Sequence, residues 1–334
     1  MSDTQYIARG ILRNGHTNSV LSGSVARKII VHRQCENFLK QGQQEIVPAG
    51  HGINLSAYIN RQQADHAPLV ILLHGWLGCA ESLYMLSLGE YLFSHGYHVV
   101  RLNFRDHGNT EHLNKNIFHS CRIQEVINGC SHIQGCFGVP VSIIGFSLGG
   151  NFALRINAFT TERDLELEKT VSICPVIDPA NTLTSLENSL FMYQNYFMQR
   201  WKSTFHRKAK AFPEIYSKKI FGQFKSLREA TEVLAVTYAG FESLESYLNG
   251  YSIAGSRLST VRVPASIVLA KDDPIIPWED RHQLASNKKI NFHLSDHGGH
   301  CGFLEPNLTS PWINRFCLTS LTPVSYTHLR AHET

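Results

Sequence analysis

The sequence predicts a mostly parallel, doubly wound α/β sheet with a helical cap inserted between two of its strands. Short apolar runs alternate with helix-like segments, which is typical of parallel strands covered by helices on both faces. The chain has 334 residues, of which 43% are hydrophobic and 17% charged, enough for one large core. The strand rhythm stops over 176–257, where helical and aromatic-rich sequence predicts the cap.

The predicted strands are short and mostly apolar. The clearest is Leu69–Leu73, because a continuous apolar run of strand length indicates burial on both faces. Before it, 43–59 is predicted to hold two short strands around a hairpin-like turn at 48–52. The later strands are expected at 97–103, 141–146, 170–174, 265–270 and 290–294.

Helices are expected between these strands. The predicted helices are 81–94, 118–132, 148–159 and, at the end of the fold, 310–321. This alternation favours right-handed crossovers between parallel neighbours. The resulting division is an N-terminal extension at 1–40, a core at 41–175 and 258–321, and a cap at 176–257.

The last residues, 322–334, do not fit this pattern. Their sequence, TPVSYTHLRAHET, has neither helical nor strand periodicity, and it resembles the translation of sequencing-adapter DNA. We therefore leave this non-native-looking tail out of the fold prediction, and its two histidines are not candidates for a site.

Composition excludes several classes of function. A net charge of +4 is too small to indicate nucleic-acid binding. No apolar run reaches the length of a transmembrane helix, and the N-terminus lacks the apolar segment of a secretory signal. The eight cysteines form no CxxC pair, which favours reduced thiols and a cytoplasmic location. No HExxH motif or Cys/His ligand spacing occurs, so neither a metal nor an organic cofactor is expected.

Charge is unevenly distributed within the predicted cap. Between Arg200 and Arg228 there are nine Lys or Arg residues and a single acid, Glu214. The simplest interpretation is a solvated helix face. A second interpretation is weak contact with an anionic membrane surface.

A serine motif stands at the end of one predicted strand. The residues Gly145-Phe146-Ser147-Leu148-Gly149 follow the strand 141–146 and open the helix 148–159, as a G-x-S-x-G nucleophile elbow requires. Glycines two positions before and after the serine let the neighbouring backbones pass closely. The helix that follows directs its first amides and its dipole toward the site. Ser147 is therefore the predicted nucleophile.

A serine hydroxyl needs a base, and the base needs a carboxylate to orient it. Both are predicted after later strands, at the same edge of the sheet as Ser147. Asp273 is the predicted acid, because it starts the pattern D-x-I-I-P, and Asp272 is the alternative. His300 is the predicted base, because the preceding Gly-Gly lets its loop fold over the serine, and His297 is the alternative.

Two backbone amides are needed to hold an oxyanion. One is predicted to be that of Leu148, directly after the nucleophile. The other is predicted to be that of Trp76, in the loop His74-Gly75-Trp76-Leu77-Gly78 that follows the strand Leu69–Leu73. We expect His74 to be a structural hydrogen-bonding residue beneath this loop.

Aromatic residues recur along one helix of the predicted cap. Phe197, Trp201 and Phe205 are spaced to share one helical face. Packing against the core is the simplest role for this face. The alternative is that Phe197 and Trp201 line an acyl pocket above Ser147.

Five segments together resemble the α/β-hydrolase superfamily, and more narrowly its YheT-like branch of predicted esterases, which is related to the animal ABHD proteins. They are HGWLG (74–78), RLNFRDHGNT (101–110), GFSLGGNFAL (145–154), AKDDPIIP (270–277) and HGGHCGF (297–303). The resemblance extends over about residues 45–320 and implies that Ser147, Asp273 and His300 form a catalytic triad. Where this branch commonly has FRG, the chain has Phe104-Arg105-Asp106-His107, so Asp106 and His107 are expected to border the pocket.

The sequence thus predicts a serine hydrolase that cleaves a small-molecule or lipid-like carboxylic ester through an acyl-enzyme on Ser147. Two alternatives stay open. One is a non-catalytic hydrolase-fold binding protein, although all three triad residues are present. The other is a phospholipid-directed hydrolase or acyltransferase at a membrane surface. Acyl transfer is the weaker form of this alternative, because Glu305 stands where the acyltransferase pattern H-x-x-x-x-D would place Asp after His300.

Overall fold

The computed structural model of the chain describes residues 5–309 and 311–322. These residues form an eight-stranded sheet with the order β1-β2-β4-β3-β5-β6-β7-β8. The strands are β1 (Gln43–Pro48), β2 (Asn54–Asn60), β3 (Leu69–Leu73), β4 (His98–Asn103), β5 (Val141–Phe146), β6 (Leu167–Ile173), β7 (Ala265–Ala270) and β8 (Ile290–Ser295). Every predicted strand is present, and the predicted doubly wound class is confirmed.

The first two strands differ from the rest in direction. β1 pairs antiparallel with β2, and β2 pairs antiparallel with β4. All other neighbours in the sheet are parallel. β3 is buried along its whole length, as expected of a central strand covered on both faces. The carboxyl ends of β3, β5, β7 and β8 therefore meet at one edge of the sheet.

Helices cover both faces of the sheet and also form two segments over its carboxyl edge. In chain order they are α1 (Gly15–Ser22), α2 (Val25–Gln34), α3 (Glu36–Gln41), α4 (Leu83–Ser94), α5 (Ile123–Phe137), α6 (Leu148–Phe159), α7 (Pro179–Asn188), α8 (Phe191–Ala211), α9 (Leu227–Ala239), α10 (Leu244–Tyr251) and α11 (Trp312–Leu321). One core cluster packs α2, α4 and α11 against the sheet, and a second packs α5 and α6 against its other face. Helices α7–α10 occupy the segment that the sequence interprets as a cap.

Helix α5 begins and ends about five residues later than the predicted helix 118–132. The loop before it is held in a non-helical conformation, because Asp106 Oδ2 accepts a hydrogen bond from the Phe118 amide at 2.8 Å. At the other end, Gly138 stops the helix with a left-handed φ of 66°. Long-range contacts of the loop, rather than local periodicity, decide the start of this helix.

The N-terminal segment is more ordered than its weak sequence signals indicate. It forms a short 3₁₀ turn at Gly10–Arg13 and the helices α1, α2 and α3. Asn14 caps α1 by accepting from the Thr17 amide, and Ser24 caps α2 in the same way.

None of the helices within the described residues combines the length and apolarity needed to cross a bilayer. Of the predicted tail 322–334, all but Thr322 lies outside the described residues.

Candidate active site

Ser147 lies at the sharp turn between β5 and α6. Its φ of 54° and ψ of −117° are strained for a residue with a side chain. The turn is held in place because the Ser147 amide donates to Ile173 O on β6 at 2.8 Å, and Ser147 O accepts from the Asn151 amide at 3.1 Å. A strained conformation maintained by its neighbours is the geometry of a nucleophile elbow.

The glycines that flank the serine are required by close backbone contacts. A Cβ at Gly145 would lie 2.0 Å from Gly149 O, and a Cβ at Gly149 would lie 2.3 Å from Leu73 O. Any side chain at either position would force the strand and helix apart. The turn between β5 and α6 can be this tight only with glycine at both positions.

The predicted acid and base lie side by side. Asp273 Oδ2 is 2.9 Å from Nδ1 of His300. The other carboxylate oxygen, Oδ1, accepts from the amides of Ile275 at 2.8 Å and Ile276 at 3.0 Å. The Asp273 side chain is only 2% exposed, so the carboxylate is fixed by three hydrogen bonds in a buried setting. This arrangement leaves Nε2 as the free nitrogen of His300.

The alternative acid and base form a second, separate pair. Asp272 Oδ2 is 3.5 Å from His297 Nδ1, and Asp272 Oδ1 accepts from the Gly299 amide at 2.9 Å. Asp272 thus braces the loop that carries His300. Neither Asp272 nor His297 is paired with the residues of the Asp273–His300 couple.

His300 is placed to exchange protons at the cavity surface. Burial opposes its charged form, but the Asp273 carboxylate and the Cys301 thiol outweigh burial and raise the pKa of His300 above its usual value. Within the described residues, His300 Nε2 contacts Cys301 Sγ at 3.9 Å. No hydrogen bond among these residues joins Ser147 Oγ to His300. Catalytic hydrogen bonds often tighten only when substrate is bound.

The loop after β3 contains one amide suited to an oxyanion. Within the described residues, the amides of Gly75, Leu77, Gly78 and Cys79 all have hydrogen-bond acceptors, and that of Trp76 has none. A Cβ at Gly75 would lie 3.3 Å from Ser147 Cβ, so this loop passes directly beside the serine. Leu148 begins α6, and the first amides of a helix have no acceptor within the helix. Both predicted donors are therefore available.

Two buried histidines support this loop. His74 is fully buried and accepts from the Phe104 amide through Nε2 at 3.1 Å, which agrees with its predicted structural role. His107 accepts from the Leu77 amide through Nε2 at 3.2 Å, and its Nδ1 is 2.7 Å from Arg105 O. Burial lowers the pKa of His107 to about 4, which keeps it neutral as this bonding pattern requires. His107 thus holds the loop that contains Trp76.

A cavity of about 910 Å³ opens above Ser147. Ser147, Leu148, Trp76 and His300 all line it, so the nucleophile, the base and both amide donors face one space. Most of the remaining wall is aliphatic or aromatic and comes from the N-terminal helices and from α7–α10. The size and lining suit a small molecule with an apolar part.

The three residues predicted for the substrate pocket also lie along this cavity. They are His107, Phe197 and Trp201. The Trp76 ring stacks on Phe197 with centroids 5.3 Å apart and meets Trp201 edge-on at 5.0 Å. The third aromatic of the helical face, Phe205, is buried; it packs with Tyr216 and Phe221 and also borders the cavity. The aromatic face thus serves both packing and the cavity wall.

The sequence suggested that the basic stretch 200–228 is a solvated helix face. In the structure, part of this stretch is buried instead. Lys208 is 1% exposed and reaches Asp106 Oδ1 at 2.9 Å and the carbonyls of Glu111 and Asn116 at 3.2 Å each. Arg207 pairs with the buried Glu111. The positive charges here are partly neutralised within the fold. Membrane contact through this stretch stays a prediction that depends on the remaining basic residues.

Sequence reasoning missed a contribution from the N-terminal segment. Ser19 Oγ accepts from the His300 amide at 2.7 Å and donates to Gly15 O at 2.7 Å. Asn18 is fully buried and accepts from the Leu304 amide at 3.2 Å. These contacts place α1 directly behind the loop of His300. The Asn14 cap could have located α1 in the sequence, but no local signal pointed to its partner loop.

Comparisons with known proteins show the family to which the chain is similar. Residues 70–310 match the sequence model described as the alpha/beta hydrolase family. The chain is 26% identical over 324 residues to "Putative esterase YheT" of Escherichia coli, covering 93% of this chain and 91% of that protein. It is 25% identical over 264 residues to "Phospholipase ABHD3" of Mus musculus, covering 75% of this chain but only 62% of the mouse protein.

Solved structures show the same fold at low sequence identity. The esterase Pf2001 of Pyrococcus furiosus superposes with a TM-score of 0.53 at 15% identity, covering 86% of this chain and 94% of that one. The carboxylesterase CesB of Bacillus subtilis superposes with a TM-score of 0.52 at 14% identity, covering 90% of this chain and 98% of that one.

Proposed function

Because the chain belongs to the alpha/beta hydrolase family, we propose that it is a serine esterase that cleaves carboxylic esters with an apolar acyl group through an acyl-enzyme on Ser147. The observation that carries this proposal is the buried Asp273–His300 couple, which opens onto the same cavity as the strained Ser147. The esterase names of YheT and CesB are in keeping with it.

In the proposed mechanism, His300 Nε2 takes the proton from Ser147 Oγ as the oxygen attacks the ester carbonyl carbon. The carbonyl oxygen becomes an oxyanion that accepts hydrogen bonds from the amides of Leu148 and Trp76. Asp273 keeps Nδ1–H directed toward itself and stabilises the imidazolium.

The tetrahedral intermediate then collapses. His300 gives its proton to the departing alkoxide, which leaves as the alcohol, and the acyl group stays on Ser147 Oγ. A water molecule next gives a proton to His300 and attacks the acyl carbon. The second intermediate releases the carboxylic acid, and the proton on His300 returns to Ser147.

The nucleophile is tested by Ser147→Ala. We expect kcat for p-nitrophenyl esters to fall by about three to six orders of magnitude, because the covalent step is lost while the cavity is kept. The matched control is Ser94→Ala, an exposed serine at the end of α4 that lies outside the cavity. Wild-type turnover by purified Ser147→Ala protein would disprove the mechanism.

A fluorophosphonate probe separates the esterase from the non-catalytic binding protein, because only an activated serine reacts with it. We expect the wild-type and Ser94→Ala proteins to be labelled and Ser147→Ala to stay unlabelled. An unlabelled wild-type protein would favour the binding protein. Turnover across a series of acyl chain lengths would then define the substrate of a labelled enzyme.

A further inference from the structure

Two thiols lie beside the catalytic imidazole. Cys174 follows β6, and Cys301 follows His300 directly. One ligand atom from each of Cys174, His300 and Cys301 lies within 4.8 Å of the other two, and Cys301 Sγ is 3.9 Å from His300 Nε2. Sequence spacing did not indicate this cluster, because Cys174 is far from the other two residues along the chain.

Both thiols are buried and held by rigid backbone. Cys174 has a φ of 45° and Cys301 a φ of 59°, and the Cys174 amide donates to Val268 O at 2.8 Å. Their nearest carbonyl acceptors are distant, with Cys174 Sγ 3.9 Å from Gly299 O and Cys301 Sγ 3.7 Å from Ile173 O. The two thiols thus form only weak hydrogen bonds, to these carbonyls and to each other, and a metal would have only these to replace.

The imidazole is already oriented as a metal ligand. A ligating histidine usually donates its second N–H to a carboxylate, which fixes the tautomer and strengthens the ligand. Asp273 Oδ2, 2.9 Å from His300 Nδ1, is placed to provide this partner, and Nε2 is left facing Cys301. The pair that serves catalysis therefore also meets the requirement for a zinc site.

We propose that Cys174 Sγ, Cys301 Sγ and His300 Nε2 form a site for Zn²⁺ that switches off the esterase by occupying its general base. This regulatory role rests on the proposed function, whereas metal binding itself does not. On binding, both thiols, and His300 Nε2 where it is protonated, release their protons to solvent, and the two thiolates balance the charge of the ion. The ion and its three ligands are thus neutral together, which suits their burial beside the Asp273 carboxylate.

The geometry needs only a small adjustment. Zinc bonds of about 2.3 Å to sulfur and about 2.0 Å to nitrogen place tetrahedral ligand atoms about 3.5–3.8 Å apart. Ligand atoms up to 4.8 Å apart must therefore approach one another by no more than about 1.3 Å. Both His300 and Cys301 line the cavity, so the ion has a path of entry and a fourth position open to water.

The site is tested first by inhibition. We expect Zn²⁺ to abolish p-nitrophenyl acetate turnover by the wild-type protein, and EDTA to restore it. Cys174→Ser and Cys301→Ser should each need at least tenfold more Zn²⁺ for half-inhibition, each relative to its own zinc-free rate. The matched control is Cys136→Ser, which removes the exposed pair formed by Cys136 Sγ and His132 Nε2 at 3.7 Å and should keep wild-type sensitivity.

A second measurement does not depend on activity. Titration with Cd²⁺ should give a thiolate-to-metal charge-transfer band in the wild-type, Ser147→Ala and Cys136→Ser proteins, and the band should be lost in the Cys174→Ser/Cys301→Ser double variant. If circular dichroism shows that Cys174→Ser or Cys301→Ser does not fold, the corresponding Cys→Ala variant takes its place. An esterase insensitive to Zn²⁺, or a band that survives in the double variant, would overturn the proposal. If the protein shows the band but has no esterase activity, the proposed function is disproved and the metal site is still supported.

Discussion

Two segments close the cavity above Ser147, and they are attached to the core by different forces. Helix α8, in the segment predicted to be a cap, places the buried Lys208 beside the buried Asp106, on the loop that also carries His107. The N-terminal helix α1 instead contacts the loop of His300 through the neutral side chains of Asn18 and Ser19. One attachment depends on charge and the other on uncharged hydrogen bonds.

Each attachment supports a different part of the candidate site. The loop 104–118 supports the loop 74–78, which contains the proposed oxyanion donor Trp76, through the bond from Leu77 to His107. Helix α1 supports the loop of His300, the proposed base, because Ser19 accepts directly from the amide of His300. We therefore expect changes at the attachment of α8 to lower the free energy of unfolding, which should also depend on pH there. Changes in α1 should lower turnover.

The largest effect is expected from Lys208→Met. This change leaves the carboxylate of Asp106 buried without its cation, and breaking a buried ion pair in this way costs about 3–5 kcal/mol. The free energy of unfolding in urea measures the loss. The matched control, Lys210→Met, removes an exposed charge from the same helix and should change stability by about 0.5 kcal/mol or less.

A double variant sharpens this test of the cap attachment. Lys208→Met/Asp106→Asn removes the unpaired charge as well, so it should recover part of the lost stability. Asparagine is suitable at this position because the backbone of Asp106 has a φ of 59°, which asparagine tolerates. Equal and small losses in the Lys208→Met and Lys210→Met variants would show that the buried pair contributes little.

Acidification should give the second largest effect. The pKa of His107 is lowered to about 4 by burial, so between pH 6.5 and pH 4 the unfolded chain binds a proton there and the folded chain does not. Stability is therefore lost as pH falls through this window, by about 3 kcal/mol from this residue at pH 4. Urea unfolding at several pH values measures the slope, which should be shallower in His107→Asn. An unchanged slope in that variant would contradict the assignment.

The smallest effect is expected from Ser19→Ala, which removes the hydrogen bond to the His300 amide. We expect kcat to fall about 3- to 10-fold, equivalent to about 0.5–1.5 kcal/mol, with little change in KM, because the base is positioned less well. Ser19→Thr should restore most of the rate. The control is Thr17→Ala, because within the described part of the chain the Thr17 hydroxyl bonds to Asn14, the N-cap residue of the same helix. If KM rose and kcat were unchanged, Ser19 would act on the cavity wall instead.

The strands and the serine turn were predictable because their signals are local. An apolar run such as Leu69–Leu73 indicates a buried strand without knowledge of its neighbours. Ser147 stands within a motif whose strand, turn and helix are contiguous in sequence. Asp273 and His300 were predicted because each lies in the loop after a strand, and parallel strands end at one edge.

Other contributions could not be predicted because they join segments that are distant in sequence. Lys208 belongs to a charged stretch whose sequence indicates a solvated helix face. The packing of α8 against the loop 104–118 is what buries Lys208. Ser19 has no special neighbours in the sequence, yet it lies behind His300. The later start of α5 also results from a contact between distant residues, the hydrogen bond from the Phe118 amide to Asp106.

Local sequence patterns were enough to predict the sheet, the sharp turn at Ser147 and the candidate acid and base, because periodicity and tight-turn sterics act over a few residues. The contact of α1 with the loop of His300, the burial of Lys208 beside Asp106 and the approach of Cys174 to Cys301 came from the packing of whole elements. Contacts between distant segments depend on how whole elements pack, and no local pattern of residues specifies that packing.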